Sequence, residues 1–167
     1  MCVSKYEFVE FVESIESLEF IESDSEQTMG QSGKIVSLRA PEPVGMYPHA
    51  RKVGNLLFLS GVGPRERGTK KIPGVELDEQ GNILSYDIEK QCYSVFKNVR
   101  AILEDAGSGW DKIVDVTVFL TNMKKDFPTF NRIYAEYFKE NQPCRTTVEV
   151  NALPTPIAIE LKVTATM

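Results

Sequence analysis

The chain has 167 residues, enough for one well-packed domain and short for two, since domains typically run to about 100–150 residues. Apolar residues make up 42% and charged residues 26%, ordinary globular values, and no apolar run approaches the roughly 18 residues that would suggest a membrane span. The formal net charge of -5 is unevenly held: residues 1–33 carry eight acids against Lys5 alone, while residues 34–167 carry 16 acids against 18 bases, a near-neutral balance that makes nucleic acid a poor candidate partner.

Glutamate recurs every third residue from Glu7 through Glu10, Glu13, Glu16 and Glu19 to Glu22. A period of three drifts around an α-helix and leaves no stable apolar stripe. The serine- and glycine-bearing stretch that follows reads as a linker, so residues 1–33 are expected to be a disordered acidic extension and residues 34–167 the domain. Phe8, Phe11, Phe20 and Ile21 keep a partner-binding helix open as the alternative. An acidic N-terminus fits neither a secretory signal nor a transit peptide, which makes the cytoplasm the expected location. Cys2, Cys92 and Cys144 are too few and too scattered for a disulfide framework or a zinc site, and are read as reduced thiols.

Ile35, Val36 and Leu38 predict a short strand, and Lys52-Val53-Gly54-Asn55 a hairpin turn leading into a strand at Leu56-Leu57-Phe58-Leu59. The polar stretch from Ser60 to Asn82 predicts a loop. Ile88, Cys92, Val95, Phe96, Val99, Ile102 and Leu103 recur at helical spacing between Asp87 and Ala106, with Gly107 as the stop. Residues 113–121 predict a strand with Val114, Val116, Val118 and Leu120 on its apolar face. Phe127, Phe130, Ile133, Tyr134, Tyr137 and Phe138 mark a second helix, which tolerates Pro128 only in its first turn. Strands at 146–150 and 157–166 close the domain, each with a core face and a polar face. The order predicts an α+β layer, two helices on one side of a mixed sheet.

From the residues alone, Arg145, at the mouth of a strand, is either a binder of carboxylates or a surface cation paired with an acid. Glu160, the only acid of the last strand, is either a group that activates water or a solvated partner of Lys162. His49, the sole histidine, reads as a surface or turn residue, and no second histidine exists for a metal site. With no phosphate loop, nucleophile elbow or metal cluster, cofactor-free chemistry is expected.

Pro143-Cys144-Arg145-Thr146-Thr147-Val148-Glu149-Val150, followed by Leu153-Pro154 and Ile159-Glu160, resembles the C-terminal signature of the RidA/YjgF family of imine and enamine deaminases. Val44-Gly45-Met46-Tyr47, Leu59-Ser60-Gly61, Asn98-Val99 and Phe130-Asn131-Arg132-Ile133-Tyr134 occur in the same order as in that family, over about residues 43–167. The resemblance implies a chorismate-mutase-like fold assembled as a trimeric barrel with sites in clefts between subunits. It implies hydrolysis of 2-imino acids and their enamine tautomers without a cofactor. Arg145 would bind the carboxylate of a small-molecule substrate, Glu160 would position water, and Tyr47, Ser60, Gly61 and Asn131 would line the pocket. Thr147 stands where many relatives carry Cys, and the loop Arg65-Glu66-Arg67 through Lys71 is long and basic. That loop and Tyr47-Pro48-His49 resemble the 2-aminomuconate deaminase branch, in which Arg65 and Arg67 would meet a second carboxylate; a solvated, charged surface loop is the other reading. A non-catalytic ligand-binding or chaperone-like trimer is the alternative from a different class, and an endoribonuclease ranks third.

Overall fold

The computed structural model describes residues 33–69 and 71–167. The acidic extension therefore lies outside the described residues, except for Gly33.

Six strands form one mixed sheet in the order β1-β2-β3-β8-β6-β7, and two more form a separate ribbon. β1 (Lys34–Ile35), β2 (Ala50–Val53) and β3 (Leu56–Leu59) run antiparallel, and β3 continues antiparallel onto β8 (Ile159–Thr166). β8 pairs antiparallel with β6 (Ile113–Leu120), which pairs parallel with the edge strand β7 (Cys144–Glu149). The predicted turn is present: Gly54, at φ 57°, and Asn55 connect β2 to β3. The strand leading into it, β2, was not visible as a strand, because its Ala-Arg-Lys-Val sequence carries no apolar alternation. The stretch read as one loop holds β4 (Val75–Leu77), which pairs with β5 (Ile83–Tyr86). Its exposed residues give no period-2 pattern, so backbone pairing rather than burial defines this ribbon.

Helix α1 (Ile88–Asp105) is capped by Asp87, whose carboxylate accepts the Lys90 amide at 3.2 Å. It buries Cys92, Val95, Phe96, Val99, Ile102 and Leu103, and Gly107, at φ 78°, ends it as expected. Helix α2 (Met123–Tyr137) begins earlier than the aromatic stripe suggested. Asn122 caps it, and the Glu149 carboxylate accepts the Met123 amide at 2.6 Å. Pro128 consequently falls beyond the first turn, correcting the expectation, and the carbonyl it leaves without an intrahelical donor belongs to exposed Lys124.

Both helices lie on one face of the sheet, and Phe96, Trp110, Tyr134, Tyr137 and Phe138 form an aromatic cluster between them and the core. Val116, Val118 and Leu120 of β6 and Ile159, Leu161, Val163 and Ala165 of β8 complete that core. Val114 does not join them: the β6–β8 register shifts between Ile113 and Asp115, so Ile113 is buried and Val114 is 41% exposed. β7, the edge strand, pairs with β6 alone among the described residues and has no buried residue. None of the helices among the described residues is long and apolar enough to cross a membrane.

Candidate active site

Glu160 belongs to the polar face of β8, because its neighbours Ile159 and Leu161 turn into the core. Its carboxylate lies directly over Gly61, just beyond the end of β3. A Cβ on Gly61 would collide with Glu160 Oε1 and stand only 2.8 Å from its carboxyl carbon, so the side-chain-free backbone is what lets the carboxylate sit there. Glu160 is half-buried in an open cleft of about 340 Å³, which it shares with Tyr47, Ser60, Arg65 and Lys162. Burial pushes its carboxyl above the usual carboxylate range, and the Arg65 guanidinium pulls it part of the way back. A carboxyl tuned this way suits proton exchange nearer neutral pH than an exposed glutamate.

Ser60 is held by two bonds to the preceding segment: its amide donates to the His49 carbonyl at 2.9 Å and its hydroxyl to the Pro48 carbonyl at 2.6 Å. Its proton is therefore committed, which leaves the hydroxyl oxygen an acceptor for a ligand in the cleft it lines. Tyr47 is 42% exposed at the cleft rim. His49 corrects the expectation of a surface residue. It is buried, its Nδ1 accepts the Ser37 amide at 3.0 Å and its Nε2 lies 2.9 Å from the Pro41 carbonyl, which fixes the Nε2–H tautomer and makes the ring a brace for the loop.

Arg145 lies elsewhere. Its Nη1 donates to Asn131 Oδ1 at 3.0 Å, and its guanidinium sits 4.5 Å from the Tyr134 ring centre, with Phe130 and Phe127 at 5.7 and 5.9 Å. These faces orient the guanidinium without neutralising it. No acid forms a salt bridge with Arg145 among the described residues, so the surface ion pair weighed from the sequence is absent there. The Tyr134 hydroxyl is buried without a hydrogen-bond partner among the described residues, and burial pushes it up to about 12.

The register separates the two halves. Arg145 lies abreast of Val116 and shares its helix-side face, whereas Glu160 lies abreast of Phe119 on the opposite face. Two strand spacings and three residues along β6 put their Cα atoms about 14 Å apart. Within one chain, then, Tyr47, Ser60 and Gly61 gather around Glu160, Asn131 joins Arg145, and the two groups do not meet. Arg67, read together with Arg65 from the sequence, pairs instead with Glu42 at 3.1 Å and donates to the Ala40 carbonyl at 2.7 Å; only Arg65 lines the cleft. The role of Tyr134 against Arg145 was hidden in the sequence, where its spacing marks it only as a core residue of α2.

Fold and site together define an α+β domain that presents a cleft-held carboxyl on one sheet face and an aromatic-backed, acid-free guanidinium on the other. The family described as endoribonuclease L-PSP matches residues 37–167, and the chain belongs to this family. A RutC family protein of Pyrococcus abyssi is 39% identical over 131 residues, covering 78% of this chain and 94% of the relative. Reactive Intermediate Deaminase A, chloroplastic, of Arabidopsis thaliana is 38% identical over 129 residues, covering 77% of this chain and 63% of its own. The crystal structure of a Rid-family protein of unknown function from Yersinia pestis superposes with a TM-score of 0.70 at 38% identity, covering 81% of this chain and 98% of that one.

Proposed function

We propose that this protein hydrolyses 2-imino acids, or their enamine tautomers, to 2-oxo acids and ammonia. The observation that carries this reading is the Glu160 carboxyl, half-buried over Gly61 and raised in proton affinity at the wall of a cleft. The acid-free Arg145 guanidinium supplies the complementary group for the substrate carboxylate. The deaminase name of the Arabidopsis relative supports the same reaction class.

Glu160 takes a proton from water as the water oxygen bonds to the imine carbon and delivers it to the imine nitrogen, giving a carbinolamine. The carbinolamine then collapses: Glu160 takes the hydroxyl proton as the C=O bond forms and returns it to the nitrogen as the C–N bond breaks, releasing ammonia. No oxidant or reductant enters this balance. That Arg145 and Glu160 lie on opposite faces of one sheet supports a working site that combines Arg145 of one chain with Glu160 of a second, and the homotrimer with sites between subunits is the assembly the family resemblance implies.

Ammonia release from 2-iminobutanoate generated in situ tests the reading. Arg145→Ala and Glu160→Ala should each lower kcat/KM by about 100-fold or more while keeping the wild-type fold and assembly. A correctly assembled wild-type protein inactive on every imino acid offered would instead identify a ligand-binding module.

A further inference from the structure

The Glu160 cleft holds three ionic side chains, Glu160, Arg65 and Lys162, that form no salt bridge with one another. Lys162 stands two residues from Glu160 on the same face of β8, about 7 Å along the strand. Its cross-strand neighbour on β6 is Thr117, and the acid further along that ladder, Asp115, lies opposite Thr164. The Lys162 ammonium forms no salt bridge among the described residues, and its one hydrogen bond, to the Leu59 carbonyl, is stretched to 3.5 Å. Arg65 likewise forms no salt bridge among the described residues, and its Nη2 donates to the Glu42 carbonyl at 2.7 Å. Arg67, by contrast, does not line the cleft and forms a salt bridge with the Glu42 carboxylate at 3.1 Å.

With Glu160 ionised the three groups leave one net positive charge in the concavity, and with Glu160 protonated they leave two. A concave wall focuses that field on whatever enters. A 2-imino monocarboxylate brings one negative charge, and Arg145 already answers it. We propose that Lys162, with Arg65 beside it, is the specificity determinant of the cleft and binds a second anionic group on the substrate. The substrate class is then a 2-imino acid whose side chain ends in a carboxylate or a phosphate. The inference rests on the reading of Arg145 and Glu160 as one shared site.

Calorimetric titration of the assembled full-length protein with stable 2-oxo acids tests it without requiring turnover. The probes are 2-oxobutanoate, with a neutral side chain, 2-oxoglutarate, with a carboxylate, and phosphohydroxypyruvate, with a phosphate. One or both of the doubly anionic probes should bind about 10–100-fold more tightly than 2-oxobutanoate, and the tighter of the two identifies the group. Lys162→Met should shrink that ratio about tenfold, while Lys162→Arg, which keeps the charge, should preserve it. Equal affinity for all three probes, no binding of either doubly anionic probe, or a ratio that Lys162→Met leaves intact would overturn the proposal. Selective binding without ammonia release from any imino acid would defeat the hydrolytic reading alone; ammonia release from 2-iminobutanoate with no anionic preference would defeat this inference alone.

Discussion

Gly61 and Glu160 depend on each other through a few ångströms of space. The strand alternation of β8 aims Glu160 away from the core, but only the missing Cβ at Gly61 lets the carboxylate settle into the cleft rather than stand out into water. Gly61→Ala is therefore expected to push the carboxylate out of place, lowering kcat by about 10–100-fold while changing stability by about 1 kcal/mol or less, since Gly61 itself is exposed. Steady-state kinetics beside urea unfolding separates the two effects; a fully active Gly61→Ala enzyme would show that the carboxylate position is not what matters. Arg145 obeys a different logic. Asn131 and Tyr134 fix the direction of its guanidinium and leave its charge available, which suits an anion that arrives from outside the chain.

Among the elements, α2 carries the least expected feature, a buried acid in its first turn. Asp126 is fully buried; Tyr86 of β5 donates its hydroxyl to Oδ2 at 2.8 Å, and Oδ1 has no partner among the described residues. This bond fastens the β4–β5 ribbon to α2. Burial raises the Asp126 carboxyl above its ordinary range, so the folded state favours the neutral form. A carboxyl raised on folding contributes stability that is fully present below its unfolded value and is lost as pH rises through the folded one. Asp126→Asn, which keeps an acceptor for Tyr86 and cannot ionise, should therefore gain on the wild type as pH rises from about 4 to about 7. Urea unfolding across that interval checks the sign, and parallel stability profiles would mean that Asp126 titrates normally.

At the scale of the whole molecule, the separation of Arg145 from Glu160 is the decisive fact. If one site draws Arg145 from one chain and Glu160 from another, two inactive variants can rescue each other. Mixing Arg145→Ala and Glu160→Ala subunits after unfolding and refolding should restore roughly a quarter of wild-type activity, because one in four randomly formed interfaces brings together two intact residues. Activity that stays at the level of the separate variants would argue against a shared site. Among the described residues, β7 ends the sheet with no further strand beside it and the outer sheet face exposes Val53, Leu56 and Phe58, surfaces through which a second chain can approach.

Much of this was legible in the linear chain. Apolar spacing marked α1, and the Asp87 and Gly107 signals bracketed it, because helix burial and capping are local. Alternation marked β6 and β8, and the run around Arg145 and Glu160 marked both chemical groups. The sequence by itself thus determined both helices, the apolar-faced strands β3, β6 and β8 and the identity of the polar residues, since each follows from the period of a strand or helix and the chemistry of a side chain, whereas β2 and the β4–β5 ribbon carry no such period. Only the tertiary structure decided how they combine: that β7 pairs parallel at the edge, which puts Arg145 and Glu160 on opposite faces; that His49 is a buried brace; that Arg65 enters the cleft and Arg67 does not; and that Lys162 goes without an acid. Each of these depends on register and on contacts between residues distant in the chain, and no local pattern encodes them.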